Sequence, residues 1–225
     1  MVGFSTFINS LFDNQIMLSP EFKLLGVFLQ NPSKELYGRQ IERLAGINHE
    51  RAVTYLNRLV NEHRALTRER KGKQVFYRLN RHNELVLKSF AIAELERKIG
   101  FVRKTDVGFV IQDLVSGVTS ELGSSIYFIL LFGSTARGHA REESDIDLLF
   151  VLLQNGKIKA KIEEMIKKRT IITGKKFSFH PVTLSELEKR WLKEPVYRNI
   201  WDERIVLFGE ENFWNFVLKE GEPHG

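Results

Sequence analysis

The run Gly133-Ser134-Thr135-Ala136-Arg137-Gly138 puts small residues where a backbone must bend, and beyond the ten residues that follow Ser134 come two carboxylates at i and i+2, Asp145 and Asp147. Free N–H groups at such a turn, where a helix starts, suit a phosphate. Ser134 adds a hydroxyl donor and Arg137 a cation, so Gly133, Ser134 and Arg137 are the candidate nucleotide-binding residues. Two carboxylates on one strand repel each other and stay ionised together most easily around a cation. Oxygen ligands of this kind suit magnesium, which takes one or two carboxylates and completes its shell with water and substrate phosphates. Asp145 and Asp147 are therefore the candidate metal ligands.

The flanking segments predict how these residues are held. Ile126 to Phe132 is continuously apolar, as in a central strand buried on both faces. Ser144 to Val151 opens a second strand, whose alternation sends Asp145 and Asp147 to one face and Ile146 and Leu148 to the core. Lys157 to Arg169 has helical periodicity with Ile158, Ile162, Met165 and Ile166 inward, and Lys176 to Val182 is a further strand. Val182 to Glu186 leads into a helix with Trp191 in its packing face. Arg204 to Phe208 is a short last strand before Gly209, and the tail from Gly221 is expected to fray.

The stretch LLFGSTARGHAREESDIDLLFV resembles the core motif of the polymerase-beta-like nucleotidyltransferases, particularly their minimal branch. The resemblance implies a small mixed sheet flanked by helices over about residues 107–208, with Gly133 and Ser134 on the triphosphate. It also implies magnesium at Asp145 and Asp147, and transfer of a nucleoside monophosphate, most plausibly AMP from ATP, to an acceptor hydroxyl. Relatives of that branch pair with a helical HEPN-type protein, which makes a protein acceptor an expectation of the resemblance. Many members carry a third acid on a later strand. Here that strand has no Asp or Glu, and Ser178 or His180 takes the position. His180 reads either as a base near neutral pH or as a structural histidine.

The first half carries a different signal. Residues 1–104 hold a net charge of +8 and residues 105–225 one of −2, so the basicity is local and points to a polyanion for one half only. Ser19-Pro20 predicts the start of a short helix that Asn31-Pro32 stops, and a second helix is expected from about Lys34 to Leu44, ending at Gly46. A third starts near Asn48, with Ala52, Val53, Leu56, Leu59 and Val60 as its apolar stripe and Arg51, Tyr55 and Arg58 along the opposite face. Two basic strand-like segments joined through Lys71-Gly72 follow. Three helices and a hairpin resemble a winged helix-turn-helix domain. That resemblance implies double-stranded DNA as partner, with Arg51, Tyr55 and Arg58 at the major groove and Lys71 and Lys73 on the wing.

The fold class expected is α+β: a winged helix-turn-helix over 1–81, a connecting helix over 82–106 that packs on one module or on a second copy of itself as a homodimer, and a nucleotidyltransferase-type domain over 107–225. The absence of cysteine excludes disulfide-stapled and Cys-ligated zinc classes, and no apolar run is long enough to span a membrane, which places the chain in the cytoplasm by expectation. The apolar start, MVGFSTFINSLF, lacks a basic leader and reads as a packing segment rather than a signal peptide. The alternative to an enzyme is a transcriptional regulator whose second half only binds nucleotide or dimerises. Transfer to a small-molecule antibiotic leaves the basic half without a role.

Overall fold

The structure is a computed structural model that describes residues 19–141, 143–154 and 156–223, so the apolar N-terminal segment lies outside the described residues. The chain divides into two compact units, one of the described residues up to Ala93 with Val217–Glu222, the other Glu94–Phe216 with Pro223. The first division falls inside the helix that the sequence marks as a connector.

In the first unit, α1 (Pro20–Gly26) begins at an N-cap, where the Ser19 hydroxyl accepts the Phe22 N–H and Pro20 fills the first helical turn. The second helix is shorter than expected. Leu36–Tyr37 forms a two-residue strand, β1, and only Gly38–Ala45 is helical (α2), because β1 is drawn into pairing with a strand far along the chain. Gly46 ends α2 with φ 64°, a left-handed cap that glycine adopts without a Cβ penalty. α3 (His49–Asn61) starts where the Asn48 side chain accepts the Arg51 N–H, and it buries Ala52, Leu56 and Leu59. Val53, expected in that stripe, is instead 40% exposed.

β2 (Leu66–Lys71) and β3 (Gln74–Leu79) form the antiparallel hairpin, turning at Gly72 with φ 61°, and the sheet order is β1-β3-β2. The tail does not fray at Gly221: Glu222 is buried and accepts the Ser33 N–H at 3.0 Å and the Ser33 hydroxyl at 2.7 Å. α4 (Glu84–Lys104) runs from this unit into the next.

In the second unit the elements follow as α5 (Asp106–Leu122), β4 (Ile126–Phe132), α6 (Gly133–Ala136), β5 (Ile146–Leu152), α7 (Lys157–Thr173) and β6 (Phe177–Thr183), then α8 (Leu184–Arg190), α9 (Pro195–Glu203), β7 (Ile205–Phe208) and α10 (Glu210–Glu220), of which the residues from Val217 on belong to the first unit. The sheet order is β6-β5-β4-β7, with β5 and β6 parallel and the other pairs antiparallel. A parallel pair needs a long crossover, and α7 supplies it.

β4 and β5 are central, which explains their unbroken apolar runs. Ile129, Leu131, Ile146, Leu148 and Phe150 pack with Ile111, Leu114 and Val118 of α5 and Ile162 and Ile166 of α7. In the alternation of β4, Phe128 points the other way and meets the rings of Phe213 at 5.4 Å and Phe216 at 5.9 Å. That second face is aromatic: Trp191, Trp201 and Trp214 are fully buried there, with Trp201 meeting Trp214 edge-on at 5.9 Å. Among the described residues no helix is long and apolar enough to cross a membrane.

Candidate active site

Strand register assembles the site. Phe132 of β4 pairs with Asp147 of β5, and Asp147 pairs with Ser178 of β6, so the three residues form one row across the sheet. Asp145 lies one residue before β5. The Ser178 hydroxyl donates to its Oδ2 at 3.3 Å, which puts both carboxylates and Ser178 on one side, as alternation requires. His180 stands opposite Leu149, two residues along β6, with Nε2 3.6 Å from Asp147 Oδ1 and its ring 5.4 Å from that of Phe132. Ser178 and His180 thus face the acid pair, while the neighbouring Phe179 packs on Phe150 and the core.

The turn after β4 closes on the same point. Gly133 has φ 75°, and a Cβ there would overlap the Asp147 carboxylate, so only glycine admits both the turn and Asp147 in their present positions. Gly133, Ser134, Thr135 and Ala136 make the single turn α6, and Arg137 follows it.

One residue here carries no signal in the sequence. Glu203, the last residue of α9, accepts the Gly133 N–H through Oε2 at 3.1 Å, and its Oε1 pairs with Arg137. The next residue explains how Glu203 is held. Arg204, expected simply to open a strand, is 1% exposed, with its guanidinium 3.6 Å from the centre of the Trp201 ring. It donates to the Trp201 carbonyl at the end of α9, and to Glu94 Oε1 at 3.2 Å. Desolvation lowers the Arg204 pKa, and the Glu94 charge opposes that shift. Removing one partner of such a buried pair costs about 3–5 kcal/mol, so the chain at Glu203 is firmly anchored.

The donor set fits a divalent cation at two ligands. Among the described residues neither Asp145 nor Asp147 is paired with Lys or Arg, and Asp145 is exposed, which leaves their oxygens open to a cation. Hard carboxylate oxygens open to solvent are what magnesium takes. A closed protein site is absent: among the described residues no group of three or more His, Cys, Asp or Glu side chains is placed to hold a metal ion.

A direct consequence concerns Gly133→Ala. Forcing an alanine into the left-handed region costs about 1–2 kcal/mol, a loss the domain survives. The added methyl displaces the Asp147 carboxylate, so nucleotide binding is expected to be lost while thermal melting falls only by several degrees. Parallel melting and calorimetric titration check this, and unchanged ATP affinity in Gly133→Ala contradicts the placement of the site.

The basic residues of the first unit differ in their surroundings. Arg51 is exposed at the start of α3, but Arg58 pairs with Glu21 at 2.7 Å and Glu62 at 3.4 Å, and its guanidinium lies 5.9 Å from the Tyr55 ring centre. Lys71 is bound to Glu35 at 2.6 Å, and that bond, aided by the charges of Arg78 and Lys71, holds the Glu35 carboxyl below its ordinary pKa against desolvation. Lys73 remains exposed and lines a groove of about 830 Å³ between α2, α3 and the hairpin, together with Arg39, Asn57, Arg68 and Arg70.

Residues 113–209 match the family model described as nucleotidyltransferase domain, a match that covers both the turn and the carboxylate pair. Among solved structures, the chain is similar to one from "Crystal structure of the toxin-antitoxin with AMP-PNP", at 14% sequence identity and a TM-score of 0.35, over 48% of this chain and 83% of that one. No curated protein matches the chain.

Proposed function

We propose that the chain is a nucleic-acid-binding nucleotidyltransferase that takes magnesium and a nucleoside triphosphate, ATP, at the turn 133–137 and transfers AMP to an acceptor hydroxyl. The observation that carries this reading is the contact at Gly133, where the expected phosphate turn and the Asp147 carboxylate fit only because no side chain stands between them. Magnesium bound by Asp145 and Asp147 supplies neutralisation of the phosphate charge.

The chain's own groups have separate parts in the reaction. Gly133 N–H, Ser134 and Arg137 hold the phosphates, and His180, within reach of Asp147, accepts the proton of the attacking hydroxyl. The acceptor oxygen bonds to the α-phosphorus, the bond from that phosphorus to the bridging oxygen breaks, and pyrophosphate leaves. A HEPN-type helical protein is one acceptor to include in the assay, with nucleic acid as another.

One observation favours a second reading. β6 offers no third carboxylate, and a domain that binds nucleotide without transferring it fits Asp145 and Asp147 alone. Pyrophosphate release in the presence of candidate acceptors separates the two.

For the first unit, three helices followed by a basic hairpin support a winged helix reading with duplex DNA as partner. The groove cations are better placed for phosphates than Arg58 and Lys71, whose charges are met by glutamates. Duplex affinity of the full chain is expected to fall with salt by about 0.9 log units per log unit for each phosphate neutralised. Arg70→Ala with Lys73→Ala flattens that slope by about two such steps, whereas Lys71→Ala moves it less. Fluorescence anisotropy over a salt series reads the slopes, and a salt-independent affinity refutes the DNA reading.

A further inference from the structure

Glu203 belongs to none of the roles assigned above, yet it holds two of the groups assigned to the nucleotide. Its Oε2 accepts the Gly133 N–H at 3.1 Å and its Oε1 pairs with Arg137. A carboxylate and a phosphate ask the same of these donors: a short, charge-assisted bond from N–H and from guanidinium. The glutamate is about one-fifth exposed and Arg137 nearly half, so the pair sits where an incoming anion can reach it. Its placement is not that of a wandering surface side chain. Arg204, the next residue, is held to the Trp201 carbonyl and to Glu94, so a release of Glu203 falls to its own side chain.

We propose that Glu203 is an internal stand-in for the nucleotide's phosphate, occupying Gly133 N–H and Arg137 until a triphosphate displaces it. This inference rests on the reading of the turn 133–137 as the phosphate site. Two consequences follow from competition. Affinity is reduced by the fraction of molecules in which the donors are free, so a carboxylate seated nine times in ten weakens binding about tenfold. Selectivity also rises with ligand charge, because a triphosphate competes with a carboxylate for the arginine better than a monophosphate does.

The test is a double-mutant cycle on the full chain, with ATP and magnesium titrated calorimetrically into wild type, Glu203→Gln, Arg137→Ala and the double variant. Glu203→Gln keeps the shape and removes the charge, and it is expected to tighten ATP binding about tenfold. The gain shrinks in the Arg137→Ala background, where only the Gly133 N–H remains to be released. Thermal melting without nucleotide stays level or falls in Glu203→Gln, so the tighter binding does not come from a more stable fold. ATP binding by Glu203→Gln that equals or falls below wild type overturns the proposal and makes Glu203 a support for the turn. The underlying reading is tested separately by Asp145→Asn/Asp147→Asn in the otherwise wild-type chain. Loss of magnesium-dependent ATP binding there leaves the phosphate site standing whatever Glu203 does, and unchanged binding overturns both.

Discussion

Exchanging Asp145 and Asp147 together for asparagine is expected to abolish magnesium-dependent ATP binding and to lower nucleotide transfer by about a thousandfold or more. The magnitude follows from the several kcal/mol of charge stabilisation that a bound cation supplies, at 1.36 kcal/mol per factor of ten. Asparagine keeps the size of each side chain, and Ile146 and Leu148, which carry the packing of β5, are untouched. The side-chain oxygen that Asp145→Asn leaves can still accept the Ser178 hydroxyl, so the variant should melt close to wild type. A variant that melts normally and still binds ATP with the same magnesium dependence contradicts the metal assignment. Calorimetry and a melting curve on one preparation give both readings.

The second large effect is expected at His180. Its Nε2 lies 3.6 Å from Asp147 Oδ1, on the side where the acceptor hydroxyl must approach if the phosphates lie along Gly133 to Arg137. His180→Ala is expected to lower turnover by about 10²–10⁴-fold, the usual span for general-base catalysis, with ATP affinity unchanged because no phosphate contact is lost. Ser178→Asp places a carboxylate at the register position beside Asp147 and should restore part of that turnover in the His180→Ala background. Steady-state kinetics that separate kcat from KM check both variants. Equal turnover in wild type and His180→Ala assigns the histidine to packing against Phe132 and removes it from the reaction.

The parts of this fold that were legible share one property: their signal is local. β4 and β5 are continuous apolar runs because both faces are covered, and Ser19 and Asn48 announce helices because a cap needs only three residues of context. The pairing of Asp145 with Asp147 is a matter of strand period alone, and so is the placement of Ser178 and His180 opposite them.

What was missed depends on distant partners. Leu36–Tyr37 is a strand only because β3 lies beside it, and Val53 leaves the apolar stripe of α3 to line a groove that the hairpin completes. The ion pairs of Arg58 with Glu21 and of Lys71 with Glu35 likewise join residues far apart in the chain. Glu203 is the extreme case, 70 residues from Gly133 and set among ordinary helix residues. Nothing short of the assembled sheet brings it to the turn.

Transfer of a nucleoside monophosphate is read from the position of a label in ATP. The full chain is mixed with magnesium, a lysate of its source organism, and ATP labelled at either the α- or the γ-phosphate. The expected result is that α-label moves onto a discrete acceptor while γ-label leaves in pyrophosphate, and that both are lost in Asp145→Asn/Asp147→Asn. Label on the acceptor from the γ-phosphate, or α-label incorporation no greater than in that double variant, would contradict it.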